Sequence, residues 1–160
     1  MTDLTALLRG RGLRSTPHRR AVLLALADHP HSTATDVGDV VTRMGSAAGP
    51  AAVAELSRQG LYNVLEDLRR VGLVRSIEPA GSPALFELQH GDNHHHLVCR
   101  SCGAVRDVAC ALGAAPCLEP SERGDFRVEE AEVVWWGLCG RCAATADTAA
   151  EAGTTKTTKR

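Results

Sequence analysis

Aromatic residues make up only 3% of this 160-residue chain, namely two Trp, two Phe and one Tyr. A core must therefore be assembled mainly from Val, Leu and Ala. No apolar run approaches the roughly 18–20 residues that a membrane-spanning helix needs, so no membrane partner is expected. The start, Met1-Thr2-Asp3-Leu4, lacks the basic and apolar regions of a secretory signal, and a cytoplasmic protein is expected. No charge of one sign dominates either, since the formal net charge is -1. Residues 1–89 carry ten Arg against nine acids, and residues 90–160 carry eight Lys or Arg against ten acids. Net charge alone does not predict nucleic-acid binding, and local clusters must carry that case. The remaining composition, 44% hydrophobic and 23% charged, is that of an ordinary globular chain with room for one full domain or two small ones.

What the chain does have is a concentration of metal-ligating side chains. Three histidines and two cysteines fall in the nine residues His94-His95-His96-Leu97-Val98-Cys99-Arg100-Ser101-Cys102. These are the preferred nitrogen and sulfur ligands of zinc and similar metals. A second Cys-x-x-Cys is formed by Cys139 and Cys142. Six cysteines without an export signal, four of them in such pairs, point to metal binding or redox chemistry rather than a disulfide framework. Two residues between cysteines let both sulfurs reach one ion, so Cys99, Cys102, Cys139 and Cys142 predict a structural zinc site. The 36 residues between the pairs exceed the roughly 15–20 of a compact zinc ribbon, so a larger unit must fold between them. A redox dithiol or ordinary buried thiols are the alternatives. His94 and His96, two apart on an extended segment, point the same way; Glu87, His31 and Asp107 are candidates to complete that set. Cys110 and Cys117 lie outside the pairs, as buried small hydrophobes or as thiols open to oxidation.

Taken in order, Leu4, Leu7 and Leu8 have helical spacing before the glycines at 10 and 12. Thr16 and Pro17 have the chemistry of an N-cap and a first helical residue, with Val22, Leu23 and Leu26 facing a core to about His29. Thr33 or Thr35 caps a third helix with Val37, Val40, Val41 and Met44 on one face. Residues 45–54 read as a loop, with a helical turn around 53–56. Ser57 caps a fourth helix, in which Leu61, Val64, Leu65 and Leu68 make one stripe and Gly72 ends it. Residues 73–77 and 85–88 are strand-like around the turn Pro79-Ala80-Gly81-Ser82-Pro83, which predicts a hairpin. Three helices and a hairpin make a winged helix, whose last helix would enter the major groove. There Arg58, Gln59 and Asn63 can reach base edges, and Tyr62 a phosphate or a thymine methyl. Residues 90–93 read as a hinge, 104–108 and 126–138 as strands, and 110–120 as a short helix or turn. The Ala/Thr-rich end from 143 reads as disordered.

Three of these segments in combination resemble the Fur (ferric uptake regulator) family of metal-dependent repressors: Gly12-Leu13-Arg14-Ser15-Thr16-Pro17-His18-Arg19, the Leu61-Tyr62 helix running into Val71-Gly72-Leu73-Val74, and His94 through Gly103. The likeness runs from about residue 4 to 142. Residues 92–96 with Cys99-Arg100-Ser101-Cys102, and Glu78-Pro79-Ala80-Gly81, look most like the actinobacterial FurA/CatR-type branch, which is associated with repression of catalase-type genes and of its own gene. The resemblance implies an α+β chain: a winged helix-turn-helix DNA-binding domain at 1–89, a small α/β dimerisation domain with a four-cysteine zinc site at 90–145, and a disordered tail at 146–160. It implies structural Zn2+ at Cys99, Cys102, Cys139 and Cys142. It implies regulatory Fe2+ or Mn2+ at His31, Glu87, His94, His96 and Asp107, a site that would join the domains. The DNA contacts would come from Arg14, Arg19, Ser57, Arg58, Gln59, Tyr62 and Asn63; Cys110 and Cys117, on the residues alone, stay candidates for redox thiols beside the reading as buried small hydrophobes.

The expected protein is a homodimeric, metal-dependent, peroxide-responsive repressor on palindromic double-stranded DNA. An iron- or zinc-uptake regulator is the alternative within the family. From other classes come a zinc adaptor that binds no DNA and a zinc hydrolase, for which no HExxH helix is present; an enzyme is not expected. The chain departs from the family at Asn63, where Arg is common, and at Glu87, where some peroxide sensors have Asp. The loop at 45–54 is enlarged, and no histidine follows His96 to partner His95 in a third site.

Overall fold

The computed structural model describes residues 3–47, 56–91, 94–110, 118–128 and 131–154, with side chains to 46 and 148 in the helices that close two of these stretches. The chain forms two compact units, Met1–Gly91 and Asp92–Arg160.

The first unit is built from capped helices. In α1 (Leu4–Gly10), Asp3 accepts from the Thr5 N–H at 2.8 Å. In α2 (Pro17–Asp28), Thr16 Oγ1 accepts from the Arg19 N–H at 3.3 Å and Pro17 takes the first turn, where its missing donor costs nothing. The two-residue strand β1 (Ser32–Thr33) leads into α3 (Ala34–Ala47). Here Thr33 Oγ1 accepts from the Asp36 N–H at 3.2 Å, and the Asp36 carboxylate accepts in return from the Thr33 N–H at 3.1 Å. This is a capping box with Asp in the acidic place.

In α4 (Arg58–Arg70), Ser57 Oγ accepts from the Gly60 N–H at 3.1 Å. The helix ends in a Schellman motif. The Gly72 N–H reaches Arg69 O and the Leu73 N–H reaches Leu68 O, both at 2.9 Å, with Gly72 at φ +69, a left-handed conformation that glycine takes at no steric cost. The Arg11 guanidinium also donates to the Val71 carbonyl at 2.7 Å, placing a cation at the negative end of the helix.

Leu61, Leu65 and Leu68 of α4 are buried against Val22, Leu23 and Leu26 of α2 and Val37 and Val41 of α3. The hairpin of β2 (Val74–Ile77) and β3 (Leu85–Leu88) turns through Pro79–Ser82, with Gly81 at φ +80. The sheet order is β1-β3-β2, all antiparallel, so the wing carries a third strand.

The second unit has a three-stranded sheet of order β5-β4-β6: β4 (His94–Cys99) at the centre, antiparallel to β5 (Val105–Ala109) and parallel to β6 (Val134–Gly137). Helix α5 (Gly140–Thr154) follows.

Three expectations are corrected. Residues 45–47, read as the start of a loop, are helical, because α3 continues to Ala47; Gly45 lies in its last turn, where one glycine costs only about 1 kcal/mol. Among the described residues of 126–138, the strand is Val134–Gly137, since the acid at 132 does not suit a half-buried pleat. The tail read as disordered is helical to Thr154, because its alanines are the strongest helix formers and outweigh the threonines. The expected turn at 53–56 lies mostly outside the described residues, as does most of 110–120. Strand β1 had no sequence signal; two residues are too few to show a period.

Candidate metal centres and recognition helix

Cys99 ends β4 and Cys102 lies in the turn to β5. That turn is closed by the Gly103 N–H on Cys99 O and the Cys99 N–H on Ala104 O, both 2.9 Å, with Gly103 at φ +72. The parallel pairing of β6 with β4 sets Gly137 beside Cys99, and Cys139 and Cys142 follow at the start of α5. The 36 intervening residues thus return the chain to its starting point by way of strand pairing.

The four sulfurs all lie within 4.8 Å of one another. Cys102 Sγ and Cys139 Sγ are 3.8 Å apart. Four bonds of about 2.3 Å to one tetrahedral ion give sulfur–sulfur edges of about 3.8 Å, so the cluster has the dimensions of a closed zinc site. The electrostatics fit as well. The Cys139 N–H donates to Cys99 Sγ at 3.3 Å and, with the Cys102 N–H, pulls the Cys99 thiol down to about 6. The Ala104 N–H lowers Cys102. Cys142 gains a favourable bond from Ser101, yet the sulfurs of Cys139 and Cys102 beside it push it up to about 11. Four thiolates this close repel, and a divalent cation removes that repulsion. The Arg141 guanidinium against Cys102 has its own pKa raised by the same sulfurs.

The nitrogen and oxygen donors are contributed by both units. In the first unit Glu87, 3% exposed, is opposite Arg75 in the hairpin register and forms an ion pair with it. Ser32 pairs with Phe86, so the same register carried one residue further sets His31 opposite Glu87, with His31 Nε2 2.7 Å from Glu87 Oε2. His31 is the one non-glycine residue with positive φ among the described residues, at +56. Such a conformation is sparsely populated, and functional sites often hold one.

In the second unit the extended β4 sets His94 and His96 on one side, with ring centroids 5.2 Å apart. His96 is paired across the strands with Asp107, Nε2 to Oδ1 3.5 Å, and His94 lies 3.9 Å from the same oxygen. His95 faces the other way, edge-on to Trp135 at 5.5 Å. Imidazoles and carboxylates of this kind suit iron, manganese or zinc. Arg75, which braces Glu87, escaped the sequence reading; only the hairpin register reveals it, and the loop of seven residues between the strands hides that register.

The residues of the DNA reading are placed as follows. Arg58, Gln59, Tyr62 and Asn63 line the solvent face of α4, Tyr62 being 49% exposed. Ser57 spends its hydroxyl on the helix cap. Arg14 is exposed. Arg19 is turned inward, bonded to Asp67 of α4 and to the Arg14 carbonyl, so it ties α2 to α4. Cys110 follows β5 and is half-buried; Cys117 lies outside the described residues.

The Ferric uptake regulator family profile matches residues 10–133. The transcriptional regulator FurA of Mycobacterium tuberculosis is 48% identical over 140 residues, 88% of this chain and 90% of that protein. The peroxide-responsive repressor PerR of Staphylococcus aureus is 28% identical over 148 residues, 89% of this chain and 90% of its own. Among solved structures, the ferric uptake regulator of Pseudomonas aeruginosa with manganese superposes with a TM-score of 0.63 at 25% identity, covering 87% of this chain and 99% of that one.

Proposed function

This chain belongs to the Ferric uptake regulator family, and on that premise we propose that it is a metal-dependent, peroxide-responsive repressor of catalase- or peroxidase-type genes and of its own gene. It is a DNA-binding transcriptional regulator and not an enzyme, as its relatives are. No helix among the described residues is long and apolar enough to cross a membrane. The observation that carries the reading is the separation of donor types. One cluster is all sulfur and the other donors are all imidazole and carboxylate. Thiolates select zinc and hold it structurally, whereas the second set suits Fe2+ or Mn2+.

Cys99, Cys102, Cys139 and Cys142 are the zinc ligands of this proposal. His31, Glu87, His94, His96 and Asp107 are the regulatory ligands, the first two from one unit and the other three from the next. An ion that needs both units is bound only in arrangements that supply both, and its differential affinity favours those arrangements. Bound Fe2+ supplies reactivity toward peroxide. The chain's part is to hold the α4 helices of a homodimer at the spacing of a palindromic operator, and to release DNA when His94 or His96, or the thiols of Cys110 and Cys117, are oxidised.

Gel shift on the chain's own promoter region, at one fixed salt concentration, tests this with zinc-loaded protein alone, with Mn2+ or Fe2+, and then with peroxide. Binding that requires Mn2+ or Fe2+ and is lost to peroxide only in the iron form is the expected result. Asp107→Asn should weaken the metal requirement's midpoint about 10- to 100-fold without changing zinc content. Binding that follows added zinc and ignores peroxide sinks the peroxide reading in favour of metal-uptake control.

A further inference from the structure

Glu87 is 3% exposed, and both oxygens of its carboxylate are engaged within the first unit. Oε1 accepts from Nε of Arg75, its cross-strand neighbour on β2. Oε2 lies 2.7 Å from His31 Nε2. The two contacts respond differently to a cation. Imidazole and carboxylate are both metal ligands, so His31 and Glu87 can turn toward one ion the atoms that now face each other. Arg75 offers donors only and stays charged. It ligates nothing and can only keep hold of Oε1. Its own side chain is 16% exposed. Parting it from Glu87 would leave a charge uncompensated in a buried place, so the contact at Oε1 outlasts the arrival of an ion at Oε2.

That contact bears on the departure at this position, Glu in place of the Asp of some peroxide sensors. An unrestrained carboxylate binds a cation through one oxygen or through both. With Oε1 held by Arg75, Glu87 has one oxygen to give. Asp107 likewise faces His94 and His96 with a single oxygen, Oδ1, at 3.9 and 3.5 Å. One atom from each of His31, Glu87, His94, His96 and Asp107 falls one short of the roughly six that Fe2+ or Mn2+ takes. A second oxygen from Glu87 would close the shell, whereas an external ligand reaches iron only through an open position.

We infer that Arg75 confines Glu87 to one-oxygen ligation and so keeps a position of the regulatory ion free for peroxide, a positioning role outside the ligand set. The inference rests on the metal-site reading above. Its test is nitric oxide, a small probe that binds ferrous iron where the protein leaves a position open. Full-length, zinc-replete protein is loaded with Fe2+ without oxygen, exposed to nitric oxide and read by EPR, with iron and zinc counted by metal analysis. Wild type should give the signal of the adduct. Arg75→Met keeps the length of the side chain and removes the donor. It should retain its iron and its Mn2+-dependent gel shift, while the adduct signal and the rate of DNA release by peroxide both fall roughly 10-fold or more. Arg75→Lys, which still carries a charged donor for Oε1, should restore both. Bound iron with an undiminished signal in Arg75→Met overturns this inference alone. So does loss of iron from that variant with zinc retained, since Arg75 would then support ligation rather than limit it. Where Arg75→Met does not fold, wild type decides, because iron-loaded wild-type protein that binds no nitric oxide overturns the inference as well. Wild-type protein that binds no Fe2+ or Mn2+ beside its zinc overturns it together with the metal-site reading.

Discussion

The two units are held together by different physics. In the first, sixteen buried apolar residues from Leu8 to Phe86 form one continuous core. In the second, the buried residues among those described are His95, His96, Val98 and Cys99, all on the single strand β4. Burying a Leu or Val contributes about 1.5–3 kcal/mol, so the first unit closes on apolar burial. Among the described residues of the second, apolar burial is slight, and Leu97, Trp135 and Leu138 are exposed. Its strands meet the start of α5 at four sulfurs instead. The lesson is that the aromatic-poor composition is sufficient for a helical core packed from Leu and Val, while the described residues of the sheet domain gather around a four-cysteine cluster.

The largest way to break this contrast is to take away the sulfurs. Cys102→Ser, or chelation, should release zinc and unfold the second unit, since structural zinc sites of this kind supply on the order of 10 kcal/mol of folding free energy. Limited proteolysis should then cleave beyond residue 92 and leave a resistant fragment of the first unit. A second unit that stays resistant without zinc would show that its fold does not need the ion. The converse substitution, Leu68→Ala at a fully buried position, should cost about 2–5 kcal/mol. It should lower the melting of the first unit while zinc content, read by metal analysis, stays at the wild-type value.

The smallest effect sharpens the picture inside the first unit. Asp67 has its pKa lowered from 3.8, first by the hydrogen bond from Arg19 and then by Arg70. A depressed carboxylate favours the folded state above its unfolded pKa. That contribution is present above pH 3.8 and is lost as the pH falls through the lower folded value. The pair is partly exposed, so Asp67→Asn should cost less than about 1 kcal/mol. Denaturant midpoints of wild type and variant should differ at pH 7 and converge in acid. A difference that grows in acid would assign the Arg19 contact another role.

Much of the first unit was legible because each helix announces itself locally. Thr16-Pro17, Ser57 and Gly72 are capping chemistry, and caps act within one turn of where they stand in the chain. The four-cysteine cluster was legible for a similar reason, since two Cys-x-x-Cys pairs each act over two residues. The fate of the tail from 146 was not, because a threonine-rich composition hides how strongly alanine favours helix. Nor was the inward turn of Arg19, whose partner Asp67 is 48 residues away.

The sequence by itself determined the ligand types, the four helices of the first unit and the hairpin, all set by contacts within a few residues. Only the tertiary structure decided which donors meet. Parallel pairing of β6 with β4 brings Cys139 back to Cys99. The antiparallel registers set His96 opposite Asp107, and Glu87 between Arg75 and His31. Strand register depends on pairing between distant segments, and shifting it by one residue turns every side chain to the opposite face, so no local pattern in the chain could have set it.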